Sequence, residues 1–204
     1  MMTAQVLDRQ AFLDGLDEWS GTTPLTVALC DIDEFAALND SEGHAVGDQA
    51  IAVVQRALKG SLPKGTYLAR MGGDEFACAF PGTTPEEALI ILEEIRQHLA
   101  ARRHEFGGQT RAIKVSFGIA AFPQHVNAVS ELHIAADEAM HRAKREGANR
   151  VAIYVEDRMT LKSNYYPKAQ LARLAKAADR LGRTEASLLR EALGDVLAKY
   201  RDEF

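Results

Sequence analysis

The stretch that decides the fold is ARMGGDEFACAF, residues 69–80, in which two glycines and two acids lie between two apolar runs. This pattern predicts two antiparallel strands joined by a two-residue turn, because Gly72 and Gly73 can supply the positive φ that a tight hairpin demands. Alone, such a stretch is typical of a solvated surface turn. Asp74 and Glu75 have a chemical role only if other polar groups lie beside them.

Strands and helices alternate around this hairpin. PLTVALCDID, residues 24–33, predicts a buried strand that ends in acids. Helices are predicted at 6–19, 34–41, 45–59, 83–103 and 129–150, and further strands at 111–122 and 150–155. The alternation predicts an α/β (α+β) sandwich with a central sheet of about five strands. A composition of 47% hydrophobic and 26% charged residues fits such a globular domain.

The chain carries no sequence signal for a membrane. No apolar run approaches the ~18 residues that a membrane span needs, and the first residues lack the order of a signal peptide. Cys30 and Cys78 each lie in an apolar run and are predicted to be buried thiols. We therefore expect a cytoplasmic protein with no membrane partner.

Three polar clusters could form one site. Asp31 and Asp33 end the first long strand, and Asp74 and Glu75 lie in the hairpin. The third cluster, in the helix–loop–helix segment NDSEGHAVGD, consists of Asn39, His44 and Asp48. If these strands are neighbours, Asp31 and Asp74 converge at one edge of the sheet. Two carboxylates and a carbonyl oxygen suit Mg²⁺ rather than zinc. Phosphate oxygens normally complete such a site, which indicates metal-assisted phosphoryl transfer on a nucleotide.

The motifs taken together resemble a known family. DIDEFAALND, GHAVGD, RMGGDEF, VSFGIA and ADEAMHRAKREGANR occur in the order and spacing of the GGDEF family of diguanylate cyclases, over residues 5–155. The resemblance implies a palm-like fold related to that of nucleotidyl cyclases. It also implies an enzyme that joins two GTP molecules into cyclic di-GMP and releases two pyrophosphates.

The resemblance assigns a role to each motif position. Asp31, Asp74 and the Ile32 carbonyl would hold Mg²⁺ or Mn²⁺. Asp74 would also help to deprotonate the attacking ribose 3′-hydroxyl, with Glu75 as an accessory acid. The implied substrate-binding residues are Phe35, Asn39, His44, Asp48, Gly72, Gly73 and Lys144. Of these, Asn39 and Asp48 would hydrogen-bond guanine, and adenine would leave them unpaired at a cost of ~1–3 kcal/mol per group.

Two expected phosphate-binding cations are absent. Ala36 stands where the family usually has Lys, and Ala148 where it usually has Arg. Each missing contact is worth ~1–3 kcal/mol, so we expect weaker GTP binding. The inhibitory R-x-x-D motif is replaced by residues 63–66, PKGT, so feedback inhibition through it is not expected. An alternative reading is a weak or inactive GGDEF domain that serves as a nucleotide-responsive, DNA-binding transcription regulator.

The remaining residues predict a second module. We expect a cyclase domain at 1–155, a polar linker at 156–161 and a small module at 162–204. Residues 160–204 hold nine basic and six acidic residues, a net +3, so that of the total −5 the first 159 residues carry −8. The module resembles ribbon–helix–helix DNA-binding domains of the Arc and MetJ class. It predicts a helix from Pro167 to Leu181 and a second from Thr184.

The resemblance implies a homodimer that binds double-stranded DNA through a two-stranded ribbon. One strand phase points Ser163 and Tyr165 at the bases, and the other points Lys162 and Asn164. Thr184, at a helix N-terminus, would meet a phosphate. The alternative is a helical dimerisation tail alone. It would still serve cyclisation, which needs two GTP-loaded sites that face each other.

Overall fold

The computed structural model describes residues 6–19, 24–106, 109–155 and 166–181, together with the helical positions 185, 188, 189, 192, 193, 196 and 199. The chain divides into two compact units, Met1–Arg158 and Met159–Phe204.

The first unit contains strands and helices in alternation. Its strands are β1 (Val6–Asp8), β2 (Leu25–Ile32), β3 (Tyr67–Gly72), β4 (Glu75–Pro81), β5 (His104–Phe106), β6 (Gln109–Arg111), β7 (Val115–Phe122) and β8 (Val151–Ile153). Its helices are α1 (Arg9–Asp17), α2 (Phe35–Glu42), α3 (His44–Ser61), α4 (Pro85–Ala101), a 3₁₀ turn (Val129–Glu131) and α5 (Leu132–Arg145).

The central sheet has six strands in the order β1-β3-β4-β2-β7-β8. The two edge strands run parallel to their neighbours, and the four inner strands are antiparallel. The mixed α/β prediction is confirmed, but the expected count of about five strands is one short. The missing strand is β1, which lies inside the segment predicted as one helix at 6–19. Three residues are too few to show a strand period, and Asp8 then caps α1 by accepting a hydrogen bond from the Ala11 N–H at 2.8 Å.

The helices cover both faces of this sheet. Ala28, Cys30 and Ile32 of β2 pack in one core with side chains of α3 and α4. Val27 and Leu25 face the other way, into a second core with side chains of α1 and α5. The alternation along β2 therefore sends Asp31 to the α5 side, because neighbouring residues of a strand face opposite ways. Cys30 and Cys78 are free and buried, as predicted.

Two further boundaries differ from the predictions. The strand expected at 111–122 begins at Val115, because Arg111 ends the small β5–β6 hairpin. The turn between β3 and β4 consists of Gly73 and Asp74, since Gly72 pairs with Glu75 across a bulge at position 71. The two-residue turn itself is confirmed, shifted by one position.

Helix α4 begins where its sequence signals predict. The Thr84 hydroxyl accepts a hydrogen bond from the Glu87 N–H, and the Glu87 carboxylate accepts one from the Thr84 N–H, which completes a capping box. On the opposite face of the sheet, α5 lies so close to β7 that a Cβ at Gly118 would come within 2.1 Å of the Ala136 carbonyl oxygen. Gly118 therefore sets the distance at which α5 packs.

The second unit contains α6 (Lys168–Leu181), which matches the helix predicted from Pro167. On this helix, Ala178 is buried and Leu171 is exposed. Lys162, Ser163, Asn164, Tyr165 and Thr184, the expected DNA contacts, lie outside the described residues. Nowhere in the described part of the chain is a helix long and apolar enough to cross a membrane.

Candidate nucleotide and metal site

The candidate site begins at the carboxyl end of β2. Asp31 is opposite Glu75 on β4 and opposite Ser116 on β7, so a central strand brings it beside the hairpin. Asp74 lies in the turn, next to Glu75. The predicted convergence of the first long strand with the hairpin is therefore confirmed as geometry. Three carboxylates meet at this edge.

The Asp31 carboxylate is buried, and its burial disfavours the charged form. It is 8% exposed, and its Oδ1 is shielded from solvent. Burial raises its pKa, and the nearby charges of Asp74 and Glu75 raise it further. Lys144, in the last turn of α5, acts in the opposite direction because its Nζ lies 2.5 Å from Asp31 Oδ1. The edge of the sheet is therefore a place where a cation is stabilised.

The donor set suits a hard divalent cation. Asp31 and Asp74 offer carboxylate oxygens, and the Ile32 carbonyl belongs to the same strand end. Within the described residues, no group of three or more His, Cys, Asp or Glu side chains is arranged to hold a metal by itself. Two carboxylates and one carbonyl would leave other positions of a bound cation open to water or to substrate oxygens.

The hairpin turn is held by a side chain. Arg70 donates from Nε and Nη2 to the Gly73 carbonyl, at 3.1 and 2.8 Å. Gly72 and Gly73 have φ values of 155° and 42°, which residues with a Cβ rarely adopt. A Cβ at either glycine would meet no atom within 4 Å, so the space above the turn is open to a ligand. Arg70 thus fixes the backbone from which Asp74 projects.

The candidate base-binding residues lie on α2 and α3. Asn39 is half-buried on α2, and its Oδ1 is shielded from solvent without a hydrogen-bond partner in the described structure. His44 and Asp48 lie one turn apart on α3, and both are exposed. A buried carbonyl oxygen without a donor is costly, so Asn39 is suited to a ligand that donates an N–H.

Gly47 is a site residue that the sequence prediction missed. A Cβ at this position would lie 2.0 Å from Asn39 Oδ1 and 3.1 Å from Phe35 Cζ. The signal was present in the sequence, because a glycine inside a helix costs about 1 kcal/mol relative to alanine and usually has a packing reason. Here the reason is the close approach of α2 to α3.

Asp33 has a structural role that its sequence position conceals. Its Oδ1 accepts from Ser116 Oγ at 2.7 Å, and its Oδ2 accepts from the Asn149 backbone N–H at 2.8 Å. Asn149 in turn accepts from Arg96 Nη1 through its side-chain oxygen, at 2.9 Å. This network ties the ends of β2 and β7 to the loop that follows α5. It thereby fixes the helix end that carries Lys144.

The two alanines that replace cations both lie near this edge. Ala36 is exposed in the first turn of α2. Ala148 has φ 56° and lies between Gly147 at 118° and Asn149 at 48°, so three consecutive residues are left-handed. Neither alanine side chain carries a charge for a phosphate, and Lys144 forms an ion pair with Asp31.

Comparisons with known proteins agree with this architecture. The family described as diguanylate cyclase, GGDEF domain, matches residues 4–150. The probable diguanylate cyclase DgcF of Escherichia coli is 32% identical over 154 residues, which is 72% of this chain and 49% of that protein. Diguanylate cyclase DgcP of Pseudomonas aeruginosa is 36% identical over 129 residues, 63% of this chain and 19% of that protein. The chain thus spans half or less of these curated relatives.

Solved structures match over the same part of the chain. The GGDEF domain of DgcB from Caulobacter crescentus, solved with c-di-GMP, has 32% identity and a TM-score of 0.68, and the match covers 75% of this chain and 96% of that one. The active GGEEF domain of a diguanylate cyclase from Vibrio cholerae has 26% identity and a TM-score of 0.68, over 75% of this chain and all of that one. Diguanylate cyclases of this type generally use divalent metal ions. By sequence and by fold, the chain belongs to the GGDEF family of diguanylate cyclase domains.

Proposed function

We propose that the protein is a diguanylate cyclase that condenses two GTP molecules into cyclic di-GMP and releases two pyrophosphates. The observation that carries the proposal is the meeting of Asp31, Asp74 and Glu75 at one edge of the sheet, with Lys144 beside Asp31. This grouping combines oxygen donors for a cation with a base and a phosphate-binding cation. Those are the parts that phosphoryl transfer requires.

In the proposed reaction, Asp74 accepts the proton of a ribose 3′-hydroxyl. The resulting oxygen attacks the α-phosphate of the facing GTP, a P–O bond forms, and the bond to the departing pyrophosphate breaks. The same step on the second GTP closes the ring. Asp31, Asp74 and the Ile32 carbonyl would hold Mg²⁺ or Mn²⁺, which neutralises negative charge on the reacting phosphates. Glu75 adds a second acid at the turn.

Guanine selectivity is assigned to α2 and α3. Asn39 Oδ1, which is buried and unpartnered in the described structure, would accept an N–H from guanine. Asp48 would accept from the same base edge, and Phe35 and His44 would border it. Gly72 and Gly73 would let the ribose and phosphates approach the turn closely. An adenine would leave the buried Asn39 acceptor unpaired at a cost of ~1–3 kcal/mol, whereas the exposed Asp48 would return to water, so the selection for GTP rests mainly on Asn39.

The test is incubation of the purified protein with GTP and Mg²⁺, followed by mass spectrometry of the nucleotides. We expect cyclic di-GMP from GTP and no cyclic product from ATP. Asn39→Ala should raise the KM for GTP more than it lowers kcat, because it removes a contact made already in the bound state. Absence of product from a folded protein that binds GTP would leave the weak or inactive regulator as the function.

For the C-terminal residues, the proposal is a ribbon–helix–helix module at 162–204 that forms a homodimer and binds double-stranded DNA. Support comes from Pro167 at the start of α6, from the net +3 of residues 160–204 and from the exposed Leu171, Leu193 and Val196. The corresponding boundaries are a cyclase domain at 1–155 and a linker at 156–161. The cytoplasmic location expected from the cysteine usage is part of the same proposal.

The tail is tested by gel shift and by sedimentation. We expect the full chain to sediment as a dimer and to bind DNA with an affinity that falls steeply with salt. Lys162→Ala combined with Asn164→Ala should weaken DNA binding without changing the dimer. If the protein forms a dimer but binds no DNA, dimerisation alone would remain as the role of the module. A monomer would remove both roles.

A further inference from the structure

Among the described residues, one ion pair involves the three carboxylates at the sheet edge. Asp31 contacts Lys144, with Nζ to Oδ1 at 2.5 Å, whereas within the described residues neither Asp74 nor Glu75 has an ion-pair partner within 4.0 Å. The Lys144 side chain is 32% exposed and that of Asp31 is 12% exposed. One long, partly exposed lysine therefore neutralises the most deeply buried of the three acids.

A divalent cation would use the carboxylate of the same Asp31. A carboxylate oxygen in contact with an ammonium group at 2.5 Å is not free to coordinate a metal, because two cations at that distance repel each other. A cation on either oxygen of this carboxylate would lie close to the ammonium group, so Lys144 opposes cation binding at Asp31 until it moves away. Lys144 lies in the last turn of α5 and reaches Asp31 through four flexible carbons, so it can swing without a change of backbone.

We propose that Lys144 is the counter-ion of Asp31 in the nucleotide-free protein and that it leaves Asp31 for the triphosphate when a divalent cation and a nucleotide arrive together. Lys144 then weakens metal binding in the absence of nucleotide and strengthens nucleotide binding in the presence of metal. This single side chain couples the two binding events, so that metal and GTP each raise the affinity of the other. The inference rests on the proposed function only for the identity of the triphosphate.

The experiment is titration of the full chain with Mn²⁺, without nucleotide, followed by electron paramagnetic resonance of the free ion. We expect Lys144→Gln to bind Mn²⁺ about tenfold more tightly than the wild type, because one competing cation is gone. Arg145→Gln is the matched control, since it removes the same charge from the neighbouring exposed position and leaves the Asp31 contact intact. It should change the Mn²⁺ affinity less than twofold.

A second arm locates the effect at Asp31 and at the nucleotide. In a protein that already carries Asp31→Asn, the further change Lys144→Gln should no longer increase the affinity for Mn²⁺. With 3′-deoxy-GTP, which lacks the attacking hydroxyl, the wild type should gain more Mn²⁺ affinity than Lys144→Gln does. Lys144→Met serves as a second variant if the melting temperature of Lys144→Gln falls.

Equal or weaker Mn²⁺ binding by folded Lys144→Gln and Lys144→Met would overturn the inference. An equal gain from 3′-deoxy-GTP in the wild type and in both variants would also overturn it. These outcomes are separable from failure of the proposed function. A protein that makes no cyclic di-GMP but whose Lys144 variants bind Mn²⁺ more tightly would lose the cyclase assignment and keep the counter-ion.

Discussion

Gly47 on α3 and Asn39 on α2 are in such close contact that a single added carbon at position 47 would lie 2.0 Å from Asn39 Oδ1. The atom in the way is the end of a side chain, so Asn39 can rotate aside. The relationship matters because Asn39 is the buried acceptor assigned to guanine. The glycine therefore controls the rotamer of a base-binding residue.

Gly47→Ala should change binding more than stability. The added methyl group displaces the Asn39 amide, so we expect the preference for GTP over ATP to fall about tenfold, which corresponds to about one lost hydrogen bond. Alanine also favours the helix by about 1 kcal/mol, which offsets part of the crowding. Competition of the two nucleotides in a binding assay measures the first effect. Gly60→Ala is the control, because Gly60 lies on the same helix and a Cβ there meets nothing within 4 Å. Equal loss of selectivity in both variants would contradict the assignment.

Asp33→Ala should destabilise the first unit by about 2–3 kcal/mol, since it leaves Ser116 and the Asn149 N–H without their acceptor. Ser116→Ala removes one of the two bonds and should cost about 1 kcal/mol. The double variant should cost less than the sum, because the two residues share one contact. Urea unfolding checks all three. The exposed Asp40→Ala is the control, with an expected change within about 0.5 kcal/mol. Additive losses would mean that Asp33 acts without Ser116.

Ala36→Lys and Ala148→Arg should each lower the KM for GTP about tenfold by restoring a charged hydrogen bond to phosphate. Position 148 is already left-handed at φ 56°, so arginine meets the same backbone strain as the alanine it replaces. Steady-state kinetics measure the effect. Ala101→Lys, at the exposed end of α4, adds the same charge at another element and should leave the KM unchanged. An equal gain from Ala101→Lys would indicate a general charge effect instead.

We expect His125 to make a contribution to stability that is lost in acid. Its Nδ1 accepts a hydrogen bond from the Ala121 N–H at 3.0 Å, and burial lowers its pKa, with Glu86 acting weakly in the opposite sense. The unfolded chain, with a histidine pKa near 6.5, therefore takes up a proton more readily than the folded one. The contribution is complete above about pH 6.5 and is lost as the pH falls below it. The melting temperature should differ less between pH 7.5 and pH 5.5 in His125→Gln than it does in the wild type. The same pH slope in both proteins would exclude this histidine.

The sequence predicted the elements whose signals are local. The start of α4, the buried strand β2 and the glycine turn each depend on neighbours a few residues apart. Strand β1 escaped prediction because three residues show no period and its partner β3 lies some sixty positions away. The convergence of Asp31 with Asp74 was expected only on the condition that the two strands are neighbours.

The positions that sequence reasoning missed depend on distant partners. Asp33 bonds Ser116 and Asn149, which are 83 and 116 residues further along the chain. A strand-end acid with such partners is indistinguishable in sequence from a solvated one. A glycine inside a helix, such as Gly47, indicates a close contact with a neighbouring element. The sequence does not show that this contact is with Asn39, which lies on another helix. The adjacency of the strand end and the hairpin was thus easier to predict than the residues that hold these elements in place.

The most direct measurement is the yield of cyclic di-GMP and pyrophosphate from GTP and Mg²⁺, compared between the wild type and Asp74→Ala. Asp74 lies at the turn that meets Asp31, and in the proposed mechanism it both holds the cation and accepts the proton. The account predicts two pyrophosphates for each cyclic di-GMP from the wild type and a loss of at least about a thousandfold in Asp74→Ala, whose fold and melting temperature are kept. A wild-type protein that binds GTP as Asp74→Ala does, and forms no cyclic dinucleotide, would contradict it.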